Sequence, residues 1–282
     1  MATEKQLANK ITSTKNIMKI TSSMKMVSAA KLKGDENRLH KARPFNKWAQ
    51  ALCGPATDLE NATFSDIPDG ALIVPLTSDK GLCGGINSFI SRGVRDMMKT
   101  MKADGKSNFD IVVVGEKGRS AMRRTVGENF VSSHTEVELP GTFALASALT
   151  AEILAAPGDY SCIVLVNNKF INMATYTQEY KIIQKFEAVG DNEAMAEYEF
   201  EPDIKDEVLN DLGEYLLCSQ LYQALMEGSA SEQSARMAAM ENATKNAGEM
   251  VDKLTLQYNR ARQSRITTEL IEIISGASAL EG

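Results

Sequence analysis

Histidine is almost missing from this sequence of 282 residues, with His40 and His134 the two present. That scarcity excludes a histidine-rich metal centre. Cysteine is scarce too. Cys53, Cys83, Cys162 and Cys218 stand far apart, giving neither a disulfide framework nor a zinc pattern, and they suit a reducing compartment. No window approaches 18 consecutive apolar residues, so no transmembrane helix is expected. No apolar run follows the basic start, so no secretory signal is expected either. Aromatics make up 6% of the chain, and few lie among its N-terminal lysines, which disfavours nucleic acid as a partner.

Proline is absent from residues 1–43 and from 203–282, although seven occur in the chain. A proline costs about 3 kcal/mol inside a helix, so these two stretches are where long helices are permitted. The C-terminal stretch has helical period. Ala247, Val251, Leu254, Tyr258 and Ala261 fall at steps of four and three, and Ile266, Leu270, Ile273, Ala277 and Leu280 repeat them after a slip. Fully helical, residues 203–280 would reach roughly 117 Å at about 1.5 Å per residue, too long for a compact domain of this mass. The N-terminal stretch carries a looser stripe of Leu7, Ile11, Ile17, Met18, Ile20, Met24, Val27, Leu32 and Leu39 between lysines, with Pro44 expected to kink or end it.

The middle has another texture. Runs at 71–76, 110–115 and 162–166 are continuous and apolar, and 173–186 reads as a longer strand. Helical runs at about 86–103, 117–126 and 142–155 separate them. Strands of this kind alternating with helices predict an α/β sheet covered on both faces.

Two glycine-rich turns, Asp79–Gly85 and Gly115–Ser120, follow the first two strands. Phosphate binding needs backbone N–H groups converging on a helix N-terminus. Neither turn has P-loop or GxGxxG spacing, and tight strand-to-helix turns explain the glycines equally well. Cys83 has no evident base, and Glu269 and Glu272, three apart on one helix face, read as structural acids. No catalytic residue, cofactor site or metal site is expected.

Charge is uneven. Residues 1–50 hold eleven Lys/Arg against three acids, and residues 203–282 hold seven against thirteen. The basic start reads as a solvated face, a strip meeting acidic partners, or an anionic-surface binder. At the other end, seven of the eleven residues from Leu270 to Leu280 are Leu, Ile or Ala. Read as apolar in nearly every direction, this tip predicts a socket supplied by other chains, with a fold-back onto the α/β domain as the alternative.

Three motifs carry a resemblance. They are Lys15–Thr21 with Met24–Leu32, then Ser78–Asn87, and then Tyr258–Gln263 followed by Ile266, Thr267, Glu269, Glu272, Gly276, Ala277 and Ala279. In that order the chain resembles the gamma subunit of the rotary F-type ATP synthases. Residues 231–243 are closer to its mitochondrial branch, and the short, cysteine-free stretch 187–202 lacks the chloroplast regulatory insert.

The resemblance implies an α/β fold class: a long antiparallel coiled coil of the N- and C-terminal helices plus a Rossmann-like α/β domain. The expected boundaries are 1–57, 70–195 and 203–282. Ala235, Ala238, Ala239, Ala243 and Ala247 would let the two helices approach closely. It further implies a non-catalytic central-stalk rotor. Its partners would be the alpha and beta subunits of the catalytic head, small central-stalk subunits and a c-subunit ring, with membrane contact only through partners. Met24, Lys25 and Val27 would face the C-terminal helix or the beta subunits. Arg262 and Gln263 would bond a beta-subunit loop, Leu270–Leu280, with Leu270, Ile273, Ile274 and Leu280, would form a hydrophobic bearing, and Ile266, Thr267 and Glu269 would also contact partners. The implied location is the matrix side of the mitochondrial inner membrane, or the cytoplasmic face of a bacterial plasma membrane.

Overall fold

The computed structural model describes residues 4–137, 141–184, 199, 201 and 205–281, with backbone alone at 280 and 281. The stretch 187–202 falls almost wholly outside the described residues. The chain divides into two compact units, residues 1–27 with 237–282, and residues 28–236.

The second unit is built on a sheet. Its strands are β1 (Thr57–Asp58), β2 (Ala71–Pro75), β3 (Phe109–Val114), β4 (Phe130–His134), β5 (Cys162–Asn172) and β6 (Thr175–Gln184). The order is β1-β6-β5-β2-β3-β4, with β5, β2, β3 and β4 parallel and β6 antiparallel to β5. Strands β1 and β4 were not legible beforehand. β1 is two residues long, and Phe130–His134 carries two serines and a histidine in five positions.

Alternation along the strands fills two cores. Ala71, Ile73, Ile111, Val113, Val164 and Val166 enter one, together with Ile90, Val94, Met97 and Met101 of α3 (Ile86–Ala103) and Met122 of α4 (Glu116–Val126). Leu72, Val74, Val112, Val114 and Leu165 enter the other. There they meet Ala49 of α2 (Lys47–Cys53), Leu149 and Ile153 of α5 (Phe143–Leu154), and Leu216, Leu217, Leu221 and Leu225 of α6 (Lys205–Glu281). The start of the C-terminal helix is therefore a covering helix of the sheet.

Helix α1 (Glu4–Phe45) ends one residue after Pro44. Asn46 is non-helical (φ −99°, ψ 10°), and α2 begins directly after it.

The glycine turns prove structural. The Asp79 carboxylate accepts from the backbone N–H of Glu116 and of Val137, each at 2.8 Å. It thus occupies the N-terminus of α4, where a phosphate would have to sit. Gly115 has φ +101°, and a Cβ there would lie 2.2 Å from the Thr77 carbonyl oxygen. Thr77 Oγ1 also accepts from Gly118 N at 3.0 Å. The glycines let the end of β2 approach the β3–α4 turn closely.

Asp79→Ala leaves two N–H groups without this acceptor. A hydrogen bond to a charged group contributes about 1.5–3 kcal/mol, and Asp79 is half-buried, so a loss of about 2 kcal/mol is expected. Urea unfolding of the whole chain measures it, and an unchanged midpoint would show that the turn holds without the latch.

Candidate partner-contact surface

In the first unit, α1 and α6 run antiparallel. Glu4 pairs with Arg265 at 2.8 Å, the hydroxyls of Thr21 and Thr244 meet at 2.7 Å, and Lys25 reaches Glu241 at 2.7 Å. Leu7, Thr14 and Thr21 of α1 and Met240 and Ala247 of α6 are buried.

The α1 seam is thus a seven-residue period of small, largely polar residues. Ser28, Asp35 and Ala42, buried within the second unit, continue the spacing. The expected apolar stripe was wrong in its middle, since Ile17, Ile20 and Val27 are more than half exposed. Small residues let two helices come close, and Thr14 and Thr21 bond backbone carbonyls one turn back, which satisfies their hydroxyls inside the seam. A search for period seven without regard to hydrophobicity would have found the seam.

The alanine expectation is corrected as well. Ala247 alone of the set is buried within this unit. Ala238 is exposed, Ala239 and Ala243 are half-buried, and Ala235 packs in the other unit against Cys83 and Ile86.

Along α6, Val251, Leu254, Tyr258 and Ala261 are half-buried. From Arg262 to Ala279 every side chain is exposed. Ile266, Leu270, Ile271, Ile273 and Ile274 are 51–70% exposed. At about 100° per residue, these five cover nearly half of the helix circumference, with Glu269, Glu272 and Gly276 on the other side. The tip is therefore amphipathic, not apolar all round. The count of small and large apolar residues together had hidden this, because Ala277 and Ala279 add little area.

The other expected contact residues fall as follows. Met24 and Lys25 are half-buried, with Lys25 bonded to Glu241. Arg262, Gln263, Thr267 and Glu269 are exposed, Thr267 donates its hydroxyl to the Gln263 carbonyl, and Glu269 accepts from Arg265 at 3.4 Å. Leu280 lies at the end of α6, with its side chain outside the described residues.

Such a run of exposed aliphatics is uncommon on a chain that works alone and marks an interaction surface. Among the described residues no helix is long and apolar enough to cross a membrane, and no cluster could hold a metal ion. All four cysteines are free, and burial raises each thiol above its ordinary range, Cys162 to about 11. They are kept as unreactive thiols.

The family model of ATP synthase matches residues 3–280. The chain is 41% identical over 283 residues to the mitochondrial ATP synthase F(1) complex subunit gamma of Rattus norvegicus, covering 99% of this chain and 100% of that one. The chain belongs to the ATP synthase gamma-subunit family. Bacterial gamma chains match comparably: that of Ruegeria sp. (strain TM1040) is 39% identical over 294 residues, with 99% and 100% coverage. Among solved structures, a chain from the central stalk and c-ring of the Tetrahymena thermophila mitochondrial ATP synthase aligns with a TM-score of 0.65 and 31% identity. That alignment covers 79% of this chain and 99% of the other. The gamma family thus accounts for both units, since the match runs from α1 through the sheet to the last turns of α6.

Proposed function

We propose that this gamma-family chain is the central-stalk rotor of a proton-translocating ATP synthase. It couples rotation of a membrane c-ring to conformational change at the catalytic sites of an alpha/beta head, and it has no active site of its own. The observation that carries the reading is the exposed aliphatic run on α6 beyond Arg265, in a chain matched along its length by gamma subunits. The shaft is the paired stretch of residues 1–27 and 237–282, and the sheet lies in residues 28–236. Small central-stalk subunits and the c-ring bind at its base, and the membrane is met only through them. We infer its compartment to be the matrix side of the mitochondrial inner membrane, or the cytoplasmic face of a bacterial plasma membrane; that mitochondrial and bacterial chains both match supports the pair.

The mechanism is one of differential contact. An asymmetric shaft presents a different face to each catalytic site, and each face favours one conformation of that site. Driving a site from 1:99 to 99:1 takes about 5.5 kcal/mol of differential contact. Leu270, Ile273, Ile274 and Leu280 serve as the bearing, with Ile266, Thr267 and Glu269 just below. Met24, Lys25 and Val27 meet the beta subunits beside the seam. Val27 is 57% exposed and so is available to them rather than to α6.

The direct test is co-purification of a tagged chain from detergent-solubilised membranes. Alpha, beta and c subunits should accompany it, and their absence would overturn the reading.

Arg262 and Gln263 supply a finer test. The guanidinium can fork to a carboxylate, and the amide offers both donor and acceptor. A charged hydrogen bond in a dry interface contributes roughly 1.5–3 kcal/mol, against about 0–1 for an exposed pair. Arg262→Ala with Gln263→Ala is expected to lower steady-state ATP hydrolysis several-fold while subunit stoichiometry stays intact. Full turnover in the intact complex would reduce the pair to solvated surface.

A further inference from the structure

Helices α3 and α4 pack side by side on one face of the sheet, where their inward residues fill one of the two cores. Their outward surface is strongly cationic. The two helices carry eight Lys/Arg against Asp96 and Glu116, a surplus of six positive charges on a chain whose net charge is −6. Both acids are engaged, Asp96 with Lys99 at 3.6 Å and Glu116 with Arg119 at 2.9 Å.

Part of the surplus has a local reason. Lys102 stands in the last turn of α3, and Arg123 and Arg124 in the last turn of α4, where cations complement the helix dipole. Arg92, Arg95 and Lys99 are mid-helix and have no such role. With Lys102 they follow at steps of three, four and three, so they share one face of α3. That face borders an open groove of about 380 Å³, walled on its other side by Thr125 and Val126 at the end of α4. Met98, 2% exposed, and the half-buried Val126 give the groove an apolar floor. The Arg92 guanidinium lies over the exposed ring of Phe89, 5.7 Å from its centre, and Arg95 Nε donates to the Ser91 carbonyl at 3.1 Å.

An electropositive groove attracts carboxylates and phosphates alike. The floor separates the two. An apolar centre within a polar rim is the anatomy of a protein–protein contact, and Arg is among the residues that dominate such contacts. Single-stranded nucleic acid needs free ring faces for its bases, and Phe89, the exposed ring beside the groove, is already covered by Arg92. An anionic bilayer draws basic residues to its surface but presents no protruding side chain to a recessed floor.

We propose that the groove between α3 and the end of α4 docks an acidic segment of a partner protein. Its carboxylates meet Arg92, Arg95, Lys99 and Lys102, and one aliphatic side chain rests on Met98 and Val126. The guanidinium forks of Arg92 and Arg95 suit carboxylates with two parallel bonds. The surface lies wholly within the sheet unit, does not depend on the rotor reading, and fails or stands separately from it.

The test uses the full chain and a labelled short peptide of glutamates with one central leucine, followed by fluorescence anisotropy. One peptide per chain should bind saturably, and added salt should weaken it. Arg92→Glu with Lys99→Glu, both at exposed positions, should weaken binding more than tenfold with the urea midpoint unchanged. If that chain fails to fold, Arg92→Gln with Lys99→Gln decides, with a several-fold loss expected. Replacing the central leucine of the peptide by serine should also cost several-fold. Lys5→Glu with Lys10→Glu, in the basic stretch of α1, should bind as the native chain does. Absence of saturation, native affinity in a folded Arg92 and Lys99 variant, or an equal loss in the Lys5 and Lys10 variant overturns the site. Tighter binding of phosphatidylserine vesicles or of mixed-sequence DNA, lost in the same Arg92 and Lys99 variant, overturns the choice of an acidic protein.

Discussion

A chain ending at Arg265 is expected to fold as the full chain does and to assemble poorly. The ion pair of Arg265 with Glu4 is kept, and every described side chain removed is exposed. Surface changes of that sort shift stability by about 0.5 kcal/mol or less. Assembly is a different matter. Ile266, Leu270, Ile271, Ile273 and Ile274 remain more than half exposed, and fully burying one such side chain is worth roughly 1.5–3 kcal/mol. Completing the burial of all five contributes on the order of 5 kcal/mol before the costs of association are subtracted. A third of that already exceeds the roughly 1.4 kcal/mol that corresponds to a tenfold change in dissociation constant. Titration of the shortened chain into alpha and beta subunits should show more than tenfold weaker assembly and a matching fall in ATP hydrolysis. Urea unfolding of the chain alone should be unchanged. If shortening instead unfolded the sheet unit, the tip would be a structural fold-back and the bearing reading would be wrong.

Glu227→Ala should strongly destabilise the sheet unit. Glu227 is 2% exposed and gathers Arg43 of α1 and the backbone N–H of Phe170 in β5 onto α6. Arg43 also donates to the Phe170 carbonyl at 2.7 Å, so one network fixes two helices to the end of a strand. Removing one partner of a buried pair costs about 3–5 kcal/mol, and the lower end applies because the Arg43 side chain is 39% exposed. Glu227→Gln keeps an acceptor for the Phe170 N–H and should lose markedly less. Chemical unfolding of both variants measures the difference. Equal midpoints for Ala and Gln would mean that the acceptor for Phe170 N contributes nothing.

The strands that were legible were those buried on both faces. Ala71–Pro75 is apolar at every position because helices cover it front and back, so composition alone announces it. β4 stayed hidden because it is an edge strand, half-buried, with serines where the core strands have valines. The glycine turns were legible as turns. What filled the end of α4 was not, since the bond from Asp79 to Glu116 N spans 37 residues of sequence. The exposure of Arg262 and Gln263 beside a half-buried Ala261 was legible, because the heptad seam slips between Ala261 and Ile266. The middle of the α1 seam was read on the wrong face, because hydrophobicity favoured Ile17 and Ile20 over Thr14 and Thr21.

By itself the sequence determined that two proline-free stretches at the ends are helices, that an α/β sheet lies between them, and that the last turns carry more aliphatic surface than solvent favours. These follow from local rules: the cost of proline in a helix, the period of apolar residues, and the composition of a strand covered on both faces. Tertiary structure decided which residues of each helix meet the other, and that the first turns of α6 belong to the sheet. Those outcomes depend on groups far apart in sequence, Arg43 with Glu227 or Glu4 with Arg265, whose pairing energy exists only once the chain has brought them within bonding distance.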